Sequence, residues 1–165
     1  MAYARKNKKQ RVSEAAVGYA EAVATTTSGQ HEYLSLLGLR SFDTAALLKR
    51  LEEGLSYAAF ERLKRRLRVS SQELADAALI TQRTLARRKR TGRLGPDESD
   101  RLVRVSRVFA RSIELFEGDV ESARSWLMRP VLALGGAVPF EMVKTEVGAR
   151  EVENLITRLE HGVFS

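Results

Sequence analysis

An all-α fold is the prediction for this chain, and three features of the sequence carry it. From "HEYLSLLGL" at residue 31 onward, apolar residues return at intervals of three and four. Runs of alternating Val, Ile and Thr long enough for a strand are absent. Helix-starting Ser, Thr, Asp and Pro and helix-stopping Gly stand between the periodic segments. A chain of 165 residues can bury a core as one domain or two small ones without covalent staples. With no cysteine, a disulfide framework, cysteine-based zinc sites and thiol catalysis are excluded.

Residues 1–30 read as a flexible basic leader. Arg5, Lys6, Lys8, Lys9 and Arg11 precede an alanine-rich stretch, and "TTTSGQ" follows as a linker. "AAVGYAEAVA" is broken by Gly18 and Glu21 and does not read as a signal peptide, and no apolar run approaches the roughly 20 residues of a membrane span. The expectation is a soluble, cytoplasmic protein without a membrane partner.

In "SYAAFERLKRRLR" the spacing puts Phe60, Leu63 and Leu67 on one helix face, with Ser56 as N-cap. "SSQELADAAL" opens with Ser70 three residues before Glu73, a capping box. A third helix begins behind Thr81 and stops at Gly92. "GPDESDRLVRVSRVFARSIELFEG" is the longest helix signal, with Pro96 and acids at its start, Gly118 at its end, and a stripe of Leu102, Val105, Phe109, Ile113 and Phe116. Asp119 caps "VESARSWLM", which Pro130 ends; Gly135-Gly136 makes a tight turn and Pro139 opens the next helical turn. The last helix is expected from about Gly148, with Val152, Leu155, Ile156 and Leu159 facing inward.

Two short helices capped by Ser70 and Thr81 and joined by a tight turn have the spacing of a helix-turn-helix, whose second helix enters the major groove. Ala75 is small where the helices cross, and Leu85 packs the second helix back. Gln82, Arg83, Thr84, Arg87 and Arg88 are then placed to reach bases or phosphates, and Lys89, Arg90 and Arg93 extend the phosphate-facing end. The turn position that often holds glycine is Leu79. Six cations from Arg83 to Arg93 have no acid between them, and their mutual repulsion calls for a polyanion. The wider balance agrees: residues 1–93 carry 19 Lys and Arg against 9 Asp and Glu, while residues 94–165 carry 9 against 12, within a net charge of +7.

The C-terminal stretch "ARSWLMRPVLALGGAVPFEMVKTEVGAREVENLITRLEHGVFS" holds Ala123, Trp126, Leu127, Pro130, Leu134-Gly135-Gly136, Pro139, Thr145-Glu146, Gly148, Val152, Leu155 and a closing "EHGVFS". In this pattern, and in "RTLARR" and "LGPDESDRLVR" before it, the chain resembles the Xre/MbcA/ParS antitoxins of bacterial type II toxin–antitoxin modules over roughly residues 32–165. The resemblance implies an N-terminal Xre-like helix-turn-helix domain followed by a small helical toxin-binding domain. The corresponding division is a leader over 1–30, a helix-turn-helix and dimerisation region over 31–118, and a toxin-binding domain over 119–165.

Such antitoxins hold a NAD-consuming RES-domain toxin shut sterically and by charge complementarity, and they bind double-stranded operator DNA to repress their own operon. The family's final helix or tail approaches the toxin's active-site entrance, which here implicates Arg150, Glu153, Asn154, Arg158, His161, Gly162 and Val163. Trp126 reads as a core residue, with an interface anchor as the lesser alternative. A homodimer covering two half-sites, and a higher-order toxin–antitoxin complex, are the expected assemblies, with Phe109, Ile113 and Phe116 either at the dimer interface or in ordinary core.

No catalytic, metal or cofactor site is expected. His31 and His161 lie far apart, no nucleophile has a recognisable context, and Gly135-Gly136 lacks the Lys and Ser/Thr of a phosphate-binding loop. The rival reading is a free-standing dimeric transcription regulator without a toxin partner, which shares the DNA-binding half.

Overall fold

The computed structural model describes residues 32–39 and 43–162. The basic leader and Val163 therefore lie outside the described residues. Helices α1 (Glu32–Leu36), α2 (Thr44–Glu53), α3 (Tyr57–Leu67), α4 (Ser71–Ala77), α5 (Gln82–Thr91), α6 (Pro96–Leu115), α7 (Val120–Leu127), α8 (Pro139–Met142) and α9 (Glu146–Glu160) follow one another, with a 3₁₀ turn over Leu132–Leu134. Among the described residues there is no strand, only the isolated bridges Ser56 to Arg93 and Val131 to Ala137. The all-α class is borne out.

Local chemistry explains most boundaries. Ser70 Oγ accepts from the Glu73 N–H at 3.1 Å while the Glu73 carboxylate accepts from the Ser70 N–H at 2.7 Å, so α4 starts with the reciprocal box its sequence specifies. Thr81 Oγ1 caps α5, and Gly92 at φ +74° ends it. Ser56 stands at the N-cap of α3 but its hydroxyl makes no capping bond; instead the Tyr57 N–H donates to the Gly92 carbonyl at 2.8 Å, tying α3 to the end of α5. The last helix starts at Glu146 rather than near Gly148, because Thr145 Oγ1 caps it by accepting from the Gly148 N–H at 3.0 Å. Gly148 is needed for close approach: a Cβ there would lie 2.1 Å from the Met142 carbonyl oxygen.

The 20-residue α6 organises the fold. Helices α2 and α3 pack on it, as do α7 and α9, and one continuous core runs from Leu36 to Ile156. Phe60, Leu63, Leu67, Leu102, Val105 and Phe109 are fully buried, as their spacing implies. Ile113 and Phe116 are partly buried against the same core, and Phe116 meets Trp126 in a tilted ring contact at 6.4 Å. Of the two roles open to the Phe109 stripe, the packing assigns the core to Phe109, while Ile113 and Phe116 are only partly buried. Phe109 is 0% exposed and has no surface left to offer a partner.

Candidate nucleic-acid and partner surfaces

Helices α4 and α5 form the two arms of the helix-turn-helix. Leu74, Ala75, Ala77 and Ile80 are buried beneath the turn, and Leu85 anchors α5 from the other arm. The turn passes through Leu79 at φ +52°, a left-handed conformation that ordinarily favours glycine. A bond from Arg101 Nε to the Ala78 carbonyl at 2.8 Å ties this turn to α6. With Leu85 turned inward, helical geometry puts Gln82, Arg83, Ala86, Arg87 and Arg90 on the outer face, and all five are exposed. Ala86 leaves the centre of that face low, so the flanking arginines can approach a groove. Lys89 is exposed on the flank, while Thr84 is partly buried with its hydroxyl bonded to Thr81 Oγ1 at 3.0 Å.

Arg88 is not part of that outer face. Its Nε donates to both carboxylate oxygens of Glu98, at 2.8 and 3.0 Å, and its Nη2 to Glu98 Oε1 at 2.8 Å. Glu98 is buried and also accepts from the Gly95 N–H at 2.8 Å. Burial alone would raise the Glu98 carboxyl, but the guanidinium and the Gly95 N–H outweigh it and hold the group below the usual carboxylate range. The Arg88 guanidinium is correspondingly held above its ordinary value, with its bond to Glu98 as the largest cause. Arg88 therefore clamps α5 to the start of α6, and sequence position alone could not separate it from its exposed neighbours.

The second surface lies on α9. Val147, Arg150, Glu151, Asn154, Arg158 and His161 fall within about a third of the helical circumference, and all are exposed. Gly162 follows, exposed, at φ +66°. Arg150 Nε donates to Glu146 within the helix at 3.1 Å. Glu153 points elsewhere: it accepts from Arg107 Nε of α6 at 2.6 Å. Of the residues implicated at this end, Arg150, Asn154, Arg158 and His161 share the outer face, and Glu153 is an internal tie.

That tie belongs to a series that apolar stripes do not reveal. Arg101, Arg104, Arg107 and Arg111 recur every three or four residues along α6, and Glu146, Glu153 and Glu160 recur every seven along α9. Arg107 engages Glu153 and, at 3.5 Å, Glu146; Arg111 Nη2 donates to Glu160 at 2.8 Å. Arg104, itself buried, donates through Nε to the Val143 carbonyl at 2.9 Å and through Nη2 to the Lys144 carbonyl at 2.8 Å, satisfying the main chain between α8 and α9. The matching periods were the available signal.

Two apolar side chains also stand out on this half. Leu132 of the 3₁₀ turn is 95% exposed and Val147 is 73% exposed, the two highest values among the exposed large apolar residues described. Among the described residues no group of three or more His, Asp or Glu could hold a metal ion, and no helix is long and apolar enough to cross a membrane.

Comparison with known proteins places both halves. Residues 46–107 match the antitoxin Xre-like helix-turn-helix domain, and residues 112–162 match the antitoxin Xre/MbcA/ParS C-terminal toxin-binding domain. The chain is 36% identical over 130 residues to an Antitoxin Xre of Yersinia enterocolitica serotype O:8, an alignment spanning 78% of this chain and 88% of that protein. It is likewise 36% identical over 116 residues to an Antitoxin Xre of Photorhabdus laumondii, across 70% of this chain and 78% of that one. An Antitoxin Xre of Pseudomonas putida is 34% identical over 85 residues, about half of each chain.

Proposed function

Because this chain belongs to the antitoxin Xre family, with a helix-turn-helix domain followed by a toxin-binding domain, we infer that it neutralises a cognate NAD-consuming RES-domain toxin and represses its own operon. The single observation that carries this reading is the pair of consecutive domain matches in one chain. The RES class of the toxin rests on the resemblance of the C-terminal motif set. In this reading the antitoxin itself does no chemistry.

Operator contact is assigned to the outer face of α5. Gln82, Arg83, Arg87 and Arg90 face the groove, Lys89 approaches a flanking phosphate, and Arg88 holds the helix in place without touching DNA. Toxin contact is assigned to the outer face of α9 through Arg150, Asn154, Arg158 and His161, with Val147 as an apolar contact beside them. A rigid α9 suits this task, since its ion pairs to α6 fix the face before the partner arrives. A homodimer would place two copies of α5 over two half-sites.

The test is co-purification with the product of the adjacent gene, followed by NAD consumption by that product with and without this protein. A stable complex with suppressed NAD loss supports the reading; no complex and no inhibition overturns it. Deleting residues 150–165 is unsuitable as a test, since it removes Val152, Leu155 and Ile156 from the core. The informative variant is Asn154→Ala/Arg158→Ala on the exposed face.

A further inference from the structure

Arg68, Arg88, Arg104, Arg107, Arg111, Arg124 and Arg150 each meet a carboxylate. The outer face of α5 has no such partner among the described residues and is already assigned to DNA. A second arginine cluster without a direct carboxylate contact lies on α3. Arg62, Arg65 and Arg66 are related by three and four residues and so share one face of that helix, and all three are exposed. Arg62 Nη1 donates to the Gly38 carbonyl at 3.1 Å, which fixes its direction; Arg65 makes no direct side-chain bond to a described residue and acts on Glu61 only through space, and Arg66 makes no side-chain hydrogen bond or ion pair with a described residue.

These three guanidinium groups, with Ser35, Leu36 and Gly38 opposite, line a groove of about 370 Å³ that has no carboxylate in its walls. The nearest acid in sequence, Glu61, is engaged by Lys64 at 2.6 Å and by the Tyr57 hydroxyl. Lys64, Arg65 and Arg66 all stand in the last turn of α3, where the helix dipole favours cations, whereas Arg62 lies a turn earlier. The dipole does not set three arginines along one groove; only Glu61, already bonded to Lys64 and Tyr57, acts on Arg65 through space, and the repulsion that remains among the three is relieved when an anion enters. Guanidinium forks pair in bidentate fashion with phosphate oxygens, and the Ser35 side chain adds a hydroxyl at the opposite wall.

We propose that the groove between α1 and α3 is a second phosphate-binding site, in which Arg65 and Arg66 bind phosphate oxygens beside the oriented Arg62. The phosphate belongs either to the backbone of bound DNA, in which case the site rests on the DNA-binding reading above, or to a free phosphorylated compound.

The test uses the full chain, Arg65→Ala/Arg66→Ala, the charge-preserving Arg65→Lys/Arg66→Lys, and Arg129→Ala as an exposed cation elsewhere. Affinity for a 20-base-pair duplex is followed from about 50 to 200 mM salt, and arginine Nε–H resonances are followed during titration with inorganic pyrophosphate. Each phosphate contact contributes roughly 0.9 to the slope of log K against log salt. If the site holds DNA backbone, the Ala pair lowers the slope by about 1.8, so that it loses about 12-fold less affinity over that range, while the Lys pair and Arg129→Ala do not. If it holds a free compound, the duplex slope stays unchanged but pyrophosphate shifts the Arg62, Arg65 and Arg66 resonances, and the Ala pair abolishes the response at Arg62.

Absence of both effects, or an equal loss of slope in Arg129→Ala, overturns the proposal. Arg83→Ala/Arg87→Ala on α5 separates the two readings. A lower slope in that variant, with no effect from the α3 pair in either assay, sinks the second site and leaves the α5 assignment standing. A full chain that does not bind the duplex sinks DNA binding, and pyrophosphate then decides the groove.

Discussion

Replacing Arg88 with alanine should lower the stability of the protein while leaving its electrostatic engagement of DNA unchanged. The three contacts from its guanidinium to Glu98 all lie between 2.8 and 3.0 Å, and Glu98 is buried, so removing Arg88 leaves an unpaired carboxylate in the interior. Breaking a fully buried pair costs about 3–5 kcal/mol. The Arg88 side chain retains 24% exposure, and water admitted by the truncation can solvate the acid, which brings the expected cost to about 2–3 kcal/mol. For a unit of about 130 residues that corresponds to a fall in Tm of roughly 7–11 °C. The assay pairs calorimetry with the salt dependence of duplex binding, measured well below Tm. A phosphate-contacting arginine would remove about 0.9 from the slope of log K against log salt with little change in Tm. That result for Arg88→Ala would refute its assignment as a clamp.

Four further outcomes follow from the same structure. Arg104→Ala leaves the Val143 and Lys144 carbonyls without their donor and should cost about 2–3 kcal/mol in urea denaturation, with co-purification of the toxin weakened through the loosened start of α9. Gly148→Ala drives a methyl to 2.1 Å from the Met142 carbonyl oxygen and should destabilise by about 1–3 kcal/mol, read in the same denaturation experiment. Asn154→Ala/Arg158→Ala should change stability by no more than about 0.5 kcal/mol and yet weaken toxin inhibition; unchanged inhibition would remove the outer face of α9 from the contact surface. Glu98, despite its burial, and Glu146, in spite of some desolvation, are both held below the ordinary carboxylate range, chiefly by Arg88 and by Arg150 respectively. Their contribution is therefore complete above the unfolded carboxylate pKa of about 4.3 and is lost as pH falls through the lower folded values, so Tm should be level near neutrality and drop below about pH 4.5.

Much of this protein is determined by its sequence alone, because the signals concerned are local. Apolar spacing identified α3, α6 and α9, whose inward faces need only a period of 3.6 to be recognised. Ser70 with Glu73, Thr81, Gly92 and Asp119 act within one helical turn of the ends they define, so their effect is visible in a few consecutive letters. The two-domain order was equally legible, since it rests on motifs that lie in line along the chain.

Tertiary structure decided which charges are available. Arg87 and Arg88 are neighbours in sequence with the same side chain, yet one faces solvent and the other is held by Glu98 ten residues away. Asn154 is exposed while adjacent Glu153 is drawn inward by Arg107, 46 positions earlier. The same holds for the α3 arginines, whose groove exists only because α1 is folded against them. A helix face is periodic and can be read from one segment, whereas the carboxylates that hold Arg88 and Arg107 arrive from other helices. Only the packing of α6 against its neighbours settles which guanidinium groups are used internally and which remain for a partner.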